Sequence, residues 1–231
     1  MTRLLVSVTD ADEARLALAA GADVIDAKDP AAGALGALPP ATILAIREAV
    51  GGRATVTAVC GDHAGPALLD AAVAAVAATG VDMVKIGFAP DLATPRIVRD
   101  LGRRHGGGVP LVAVMFADLF PDFGLIPIFK EAGFAGVMLD TATKSAGLLT
   151  HMPTSRLAAF TRQARGHGLL CGLAGSVRPA DLPALVAHEP DLIGMRGGLC
   201  RGNRRTAALD PAAIRAAVAA LRRPAAIARA V

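Results

Sequence analysis

Short runs of branched aliphatic residues alternate with longer Ala-, Leu- and Arg-rich runs along the whole 231-residue chain, and the alternation repeats eight times. The first kind of run has the length and composition of a buried strand, the second those of a helix with one apolar face. Strands are expected at 4–8, 24–28, 55–60, 83–87, 111–116, 136–140, 170–173 and 192–195. Helices are expected at 12–20, 41–50, 66–79, 94–105, 126–132, 155–167, 180–188 and 211–221. Glycines stand where five of these helices should stop: Gly21, Gly51, Gly80, Gly133 and Gly168. The phrase Ala20-Gly21-Ala22-Asp23 before the second strand is echoed by Thr79-Gly80-Val81-Asp82 before the fourth and Ala132-Gly133-Phe134-Ala135 before the sixth. Eight such units predict a single α/β domain, residues 1–231, closed as a (β/α)₈ barrel of the TIM type. The competing open, doubly wound sheet would carry a glycine-rich turn after its first strand, where this chain has Val8-Thr9-Asp10-Ala11-Asp12-Glu13.

Composition narrows the function classes. Hydrophobic residues make up 53% of the chain, yet no uninterrupted apolar run reaches the roughly 18–20 residues that span a bilayer. Asp10, Asp12 and Glu13 follow the first apolar run too closely for a signal peptide, so a cytoplasmic protein without membrane partners is expected. Cys60, Cys171 and Cys200 have neither metal-ligand spacing nor an even disulfide framework, which fits incidental thiols in a reducing compartment. The net charge of +4 would suit nucleic acid, but the chain has no Trp and no Tyr for stacking, and apart from Arg201–Arg205 its arginines are scattered. Attraction of a small anionic substrate fits the charge better.

The lysines are the most informative residues. Of 24 basic residues only four are lysine: Lys28, Lys85, Lys130 and Lys144. Where positive charge alone suffices this chain uses arginine, so the remaining lysines are candidates for forming an imine or exchanging a proton near neutrality. Active sites of this fold lie at the C-terminal ends of the strands. Alternation puts Asp26 and Lys28 on one face of the second strand, Lys85 near the end of the fourth, and Asp140 at the end of the sixth with Lys144 four residues on. Lys130 falls on a helix as ordinary surface charge. The bland reading makes Asp26–Lys28 and Asp140–Lys144 structural ion pairs. The favoured one is catalytic: clustered, buried ammonium groups depress one another's pKa, which frees an amine to attack a carbonyl while the carboxylates assist proton transfer.

Two loops have the small residues that let backbone N–H groups approach a phosphate. They are Gly175-Ser176 after the seventh strand and Arg196-Gly197-Gly198 after the eighth, where this fold usually binds phosphate. Asp62-His63, after the third strand, is read as a helix cap with acid–base work as the alternative.

With these residues placed, the chain resembles the (5-formylfuran-3-yl)methyl phosphate synthases of methanofuran biosynthesis over essentially its whole length. The likeness is carried by Leu4-Leu5-Val6-Ser7-Val8, by Gly21 to Pro30 with Gly33 and Gly36, by Val84-Lys85-Ile86-Gly87, by Met138-Leu139-Asp140-Thr141 with Lys144, and by the Gly172 to Ser176 and Arg196 to Gly198 segments. The resemblance implies condensation of two glyceraldehyde 3-phosphate molecules to a furan aldehyde bearing a hydroxymethyl phosphate, with loss of one phosphate and water. It implies Lys28 as the imine-forming lysine, Lys85 as a proton acceptor, and Asp26, Asp140 and Lys144 as supporting acid–base groups, with no metal and no organic cofactor. A class I aldolase acting on another phosphorylated carbonyl compound, or a non-catalytic barrel that binds a phosphorylated ligand, remains open from the residues alone. The expected partners are a triose phosphate and further copies of the chain in a homo-oligomer.

Overall fold

A computed structural model describes residues 1–63 and 65–222. The strands are β1 Arg3–Val8, β2 Val24–Ala27, β3 Thr55–Val59, β4 Met83–Phe88, β5 Leu111–Phe116, β6 Gly136–Asp140, β7 Leu170–Leu173 and β8 Leu192–Met195. Each pairs in parallel with its neighbours, and β8 closes on β1, so the sheet is a closed (β/α)₈ barrel as the alternation predicts. The helices are α1 Ala11–Ala19, α2 Pro40–Val50, α3 Pro66–Ala77, α4 Pro95–His105, α5 Leu125–Glu131, α6 Leu148–His151, α7 Thr154–Gly166, α8 Leu182–Val186 and α9 Pro211–Arg222. Among the described residues no helix is long and apolar enough to cross a membrane.

Two helices depart from expectation, both because of proline. Pro153 ends a short extra helix, α6, and opens α7, since a ring without an N–H cannot continue a helix but suits its first turn. The helix expected at 180–188 is a 3₁₀ turn, Pro179–Asp181, followed by the five residues of α8, with Pro183 in its first turn. The glycine stops behave as read: Gly51 closes α2 with φ 58°, a left-handed conformation that a Cβ would disfavour.

The outward faces of the strands pack against the helices in one large apolar cluster. Inside, the barrel is layered. Leu5, Val24 and Leu192, with Leu170 against them, form a small apolar floor. Above one side of that floor a second cluster joins Val59, Val112, Val114, Phe116 and Met138 to Leu35. Leu35 belongs to the β2–α2 loop, which folds back over the mouth and buries this side chain to 1% exposure. Gly87 makes room for it, since a Cβ there would lie 2.7 Å from Leu35 Cδ1. The β3–β5 side of the mouth is thereby plugged, and the open side faces β1, β2 and β6–β8.

At the opposite end, aspartates tie strands together. Asp23 accepts a hydrogen bond from Leu4 N–H (2.8 Å) while its own N–H donates to Leu4 O (3.0 Å). Asp82 does the same to Val56 (2.7 and 2.9 Å), and Asp191 to Cys171 (2.8 and 2.8 Å). These clamps join β1 to β2, β3 to β4 and β7 to β8. Ala135, in the equivalent place before β6, keeps the backbone bond to Leu111 O (2.8 Å) but has no carboxylate to complete it.

Candidate active site

The parallel register sets Ser7, Asp26 and Thr57 side by side on β1, β2 and β3. Asp26 is fully buried and accepts from Ser7 Oγ (3.0 Å) and Thr57 Oγ1 (2.7 Å). Its Oδ2 also lies 2.8 Å from Lys85 Nζ, whose side chain is 5% exposed. Burial pushes the Lys85 ammonium below the ordinary lysine range, the Asp26 carboxylate opposes that, and the charge of Lys28 adds to the depression.

A second group sits across the mouth. Asp140, the last residue of β6, has Oδ2 at 3.5 Å from Lys28 Nζ and Oδ1 at 2.7 Å from Lys144 Nζ. Thr141 N–H donates to the same Oδ1 (2.7 Å), and Lys144 also donates to Thr141 O. Burial alone would raise the Asp140 pKa; the ammonium groups of Lys28 and Lys144 and the hydrogen bonds overcome it and hold the carboxyl at about 2. Burial, more than any charge, also lowers the Lys144 pKa, with Asp140 opposing and Lys28 reinforcing. Three amines and two carboxylates thus form two linked groups, Lys85–Asp26 below and Lys28–Asp140–Lys144 above.

Of the two local ion pairs that formed the bland reading, Asp140–Lys144 is present and Asp26–Lys28 is not. Asp26 bonds Lys85 rather than Lys28, because the barrel curves β4 toward β2 while Lys28 extends one step higher to meet Asp140. Lys130 lies on α5, exposed and away from the site, as expected. Among the cysteines, burial pushes the Cys60 and Cys171 thiols up to about 12, which leaves them without nucleophilic character near neutrality.

A cavity of about 430 Å³ opens above the lysines, and Lys28, Lys85, Asp140 and Lys144 line it. Gly175, Ser176, Gly197 and Gly198 form another part of its wall. The two glycine loops touch: a Cβ on Gly198 would lie 2.6 Å from Val177 O. Arg196 lines the cavity too, but its guanidinium is turned back into the protein. It pairs with Glu13 (2.7 Å) and donates to Ser7 O (2.9 Å) and Arg205 O (2.6 Å).

Asp62 and His63 are not among the lining residues. Asp62 does not cap α3, whose N-cap is Gly65 with no side-chain cap bond; its carboxylate instead accepts from Leu35 N–H (3.2 Å) and braces the β2–α2 loop. His63 Nε2 lies 2.6 Å from Cys60 O. Sequence reasoning missed Arg205, which lines the cavity and donates to Gly33 O (2.6 Å) on the facing loop. Its only signal in the sequence was its place in the Arg201–Arg205 cluster, to which no role was assigned.

A closed parallel barrel whose strand ends gather buried lysines and carboxylates around one open cavity is the architecture of a (β/α)₈-barrel enzyme. The sequence profile of the 4-HFC-P synthase family matches residues 4–218, and the chain belongs to that family. A protein of Methylorubrum extorquens is 49% identical over 224 residues, which cover 95% of this chain and 92% of the relative. The (5-formylfuran-3-yl)methyl phosphate synthase of Methanocaldococcus jannaschii is 35% identical over 219 residues, covering 87% of this chain and 92% of that one. Among solved structures, phosphoribosyl anthranilate isomerase from Thermus thermophilus superposes with a TM-score of 0.64 at 19% identity, over 95% of this chain and 98% of its own. A 3-hexulose-6-phosphate synthase gives 0.63, also at 19%, over 95% and 100%. At that identity these two speak to the fold alone.

Proposed function

We propose that the protein condenses two molecules of glyceraldehyde 3-phosphate to (5-formylfuran-3-yl)methyl phosphate through an imine on Lys28, supplying a methanofuran-type carrier. The observation that carries this reading is the convergence of Lys28, Lys85, Lys144 and Asp140 on one cavity, with Asp26 buried beneath it against Lys85. The names of the relatives support the same product.

The division of labour follows from position. Lys28 Nζ, at the cavity wall with a long 3.5 Å contact to Asp140, can leave that contact to attack a carbonyl carbon. Water leaves as the iminium forms, and the positive nitrogen then draws electrons from the adjacent C–H bond. Lys85, whose neutral amine form burial favours, takes that proton, and the resulting enamine carbon attacks the aldehyde of the second molecule. Lys144 and Asp140 stand where the new alkoxide and departing hydroxyls exchange protons. Hydrolysis of the imine returns Lys28. The balance closes without an oxidant: two triose phosphates lose one phosphate and two waters in all.

The test is mass analysis of the product formed by purified protein from triose phosphate, together with borohydride trapping. A furan aldehyde phosphate and a label on the Lys28 peptide are expected. Absence of that product overturns the reading, and labelling confined to Lys85 or Lys144 overturns the assignment of the nucleophile.

A further inference from the structure

Two phosphates must be accommodated at once if two triose phosphates meet in the cavity, and the glycine loops after β7 and β8 offer one cradle. Arg196 cannot serve the other. Its side chain is 7% exposed, and Nε, Nη1 and Nη2 are all engaged with Arg205 O, Ser7 O and both carboxylate oxygens of Glu13. That guanidinium fastens β8 to β1 and α1.

Arg205 is placed differently. Its stem lies against Gly197, where a Cβ would be 3.6 Å from Arg205 Cβ. From there the side chain crosses toward the β2–α2 loop, and Nη2 donates to Gly33 O. The guanidinium therefore reaches the β2–α2 loop, which begins at Lys28. Asp140, Asp29 and Asp62 attract it from one side and Arg196 repels it from another, yet among the described residues no carboxylate lies within ion-pair distance of it. Nε and Nη1 have no hydrogen-bond partner among the described residues. A half-buried guanidinium with unmatched donors facing a cavity is suited to grip an anion with two parallel N–H···O bonds. Lys144 is close enough for its charge to be felt by Arg205, which makes this corner the more cationic one.

We propose that Arg205 forms a second phosphate subsite, distinct from the glycine loops, which takes the phosphate of the second triose phosphate. The assignment of that ligand rests on the reaction proposed above; the subsite itself is a claim about an anion. Bound there, the second molecule has its aldehyde directed toward Lys28, between Asp140 and the β2–α2 loop.

Calorimetric titration with inorganic phosphate separates the two claims. Wild-type protein should take up two equivalents, Arg205→Gln one, and Arg205→Lys should regain part of the weaker site. Hydrogen bonds to a charged group contribute about 1.5–3 kcal/mol, so the triose phosphate concentration needed for half-maximal furan formation should rise roughly ten- to a hundredfold in Arg205→Gln. Borohydride trapping at Lys28 should persist in that variant, because the first molecule is held elsewhere. Fewer than two equivalents in the wild type, unchanged binding in Arg205→Gln, or equal loss of both equivalents would each overturn the proposal. The last is what a purely structural strap between the β8 and β2 loops would give. Two equivalents falling to one, with no imine and no furan product from the wild type, would leave the subsite standing and remove the proposed reaction.

Discussion

Replacing Asp26 with Asn is the sharpest perturbation of the buried site. The carboxylate has no exposure and three donors: the Ser7 and Thr57 hydroxyls and the Lys85 ammonium. An Asn side chain keeps one acceptor oxygen and adds an amide donor. The two hydroxyls can rotate to other roles, but Lys85 loses the only counter-charge within ion-pair distance among the described residues. Breaking a buried pair from one side costs about 3–5 kcal/mol. For a chain of this size each kcal/mol moves the melting temperature by about 2–4 °C, so a fall of roughly 6–20 °C is expected. The pH dependence has a definite sign. Lys85 already titrates below the ordinary lysine range, and Asp26→Asn removes the charge that resists that depression. The folded variant then binds fewer protons than the unfolded chain below the normal lysine pKa, so stability rises with pH and the deficit against wild type narrows. Thermal melts of Asp26→Asn, Lys85→Met and the double variant between pH 6 and pH 9 provide the assay. The double variant should be less destabilised than the two singles added together, because neither charge is then left alone. Strict additivity, or a deficit that widens with pH, would refute the idea that this pair is held by mutual neutralisation.

Lys28→Arg keeps the charge beside Asp140 but replaces the amine with a guanidinium that is not a usable nucleophile; borohydride labelling and product formation should both vanish while the melt changes little. The Asp140 carboxyl, held at about 2, stabilises the fold at pH values above the ordinary Asp value of 3.8, and that stability should be lost as pH falls through about 2. Acid titration of wild type against Asp140→Asn checks this, since the variant should lack that component. Gly197→Val has ordinary contact distance to Arg205 and should weaken substrate binding while sparing the melt, whereas Gly198→Val meets Val177 O at 2.6 Å and should lower the melting temperature itself. Equal melts for the two would argue against the close approach of the β7 and β8 loops.

The barrel and the lysines were legible because both depend on local signals. A helix-stop glycine followed by a strand-start residue repeats at intervals a reader can count, and strand alternation alone sends Asp26, Lys28 and Lys85 into the barrel. The partners were legible only where they are near in sequence, as for Asp140 and Lys144. Lys28 meets Asp140 from a strand far along the chain, and the Asp26–Lys85 bond spans β2 to β4, so sequence proximity could not find either. Arg196 stands next to two glycines like a phosphate ligand, yet its charge is consumed by Glu13, 183 residues away. The β2–α2 loop reads as a string of small residues with two leucines, Leu35 and Leu38, and nothing local says that Leu35 is the one that folds into the mouth.

The aspartate clamps at the closed end bear on how the barrel comes apart. A ring of strands stays cooperative only while no seam is much easier to open than the rest. The β7–β8 ladder has two register pairs and the β3–β4 ladder three; both carry a clamp. The β5–β6 ladder has five pairs and goes without one. At β7–β8 and β3–β4 the carboxylates thus add charged hydrogen bonds where backbone pairing is sparse, while the third clamp sits on the four-pair β1–β2 ladder. Cutting the Asp191 clamp should turn a uniform ring into a gate. In Asp191→Ala, amide hydrogens of β7 should exchange ahead of the remaining strands, and the first edges to part would carry the glycine loops with them. Exchange that stays even around the ring would mean the clamp is redundant there.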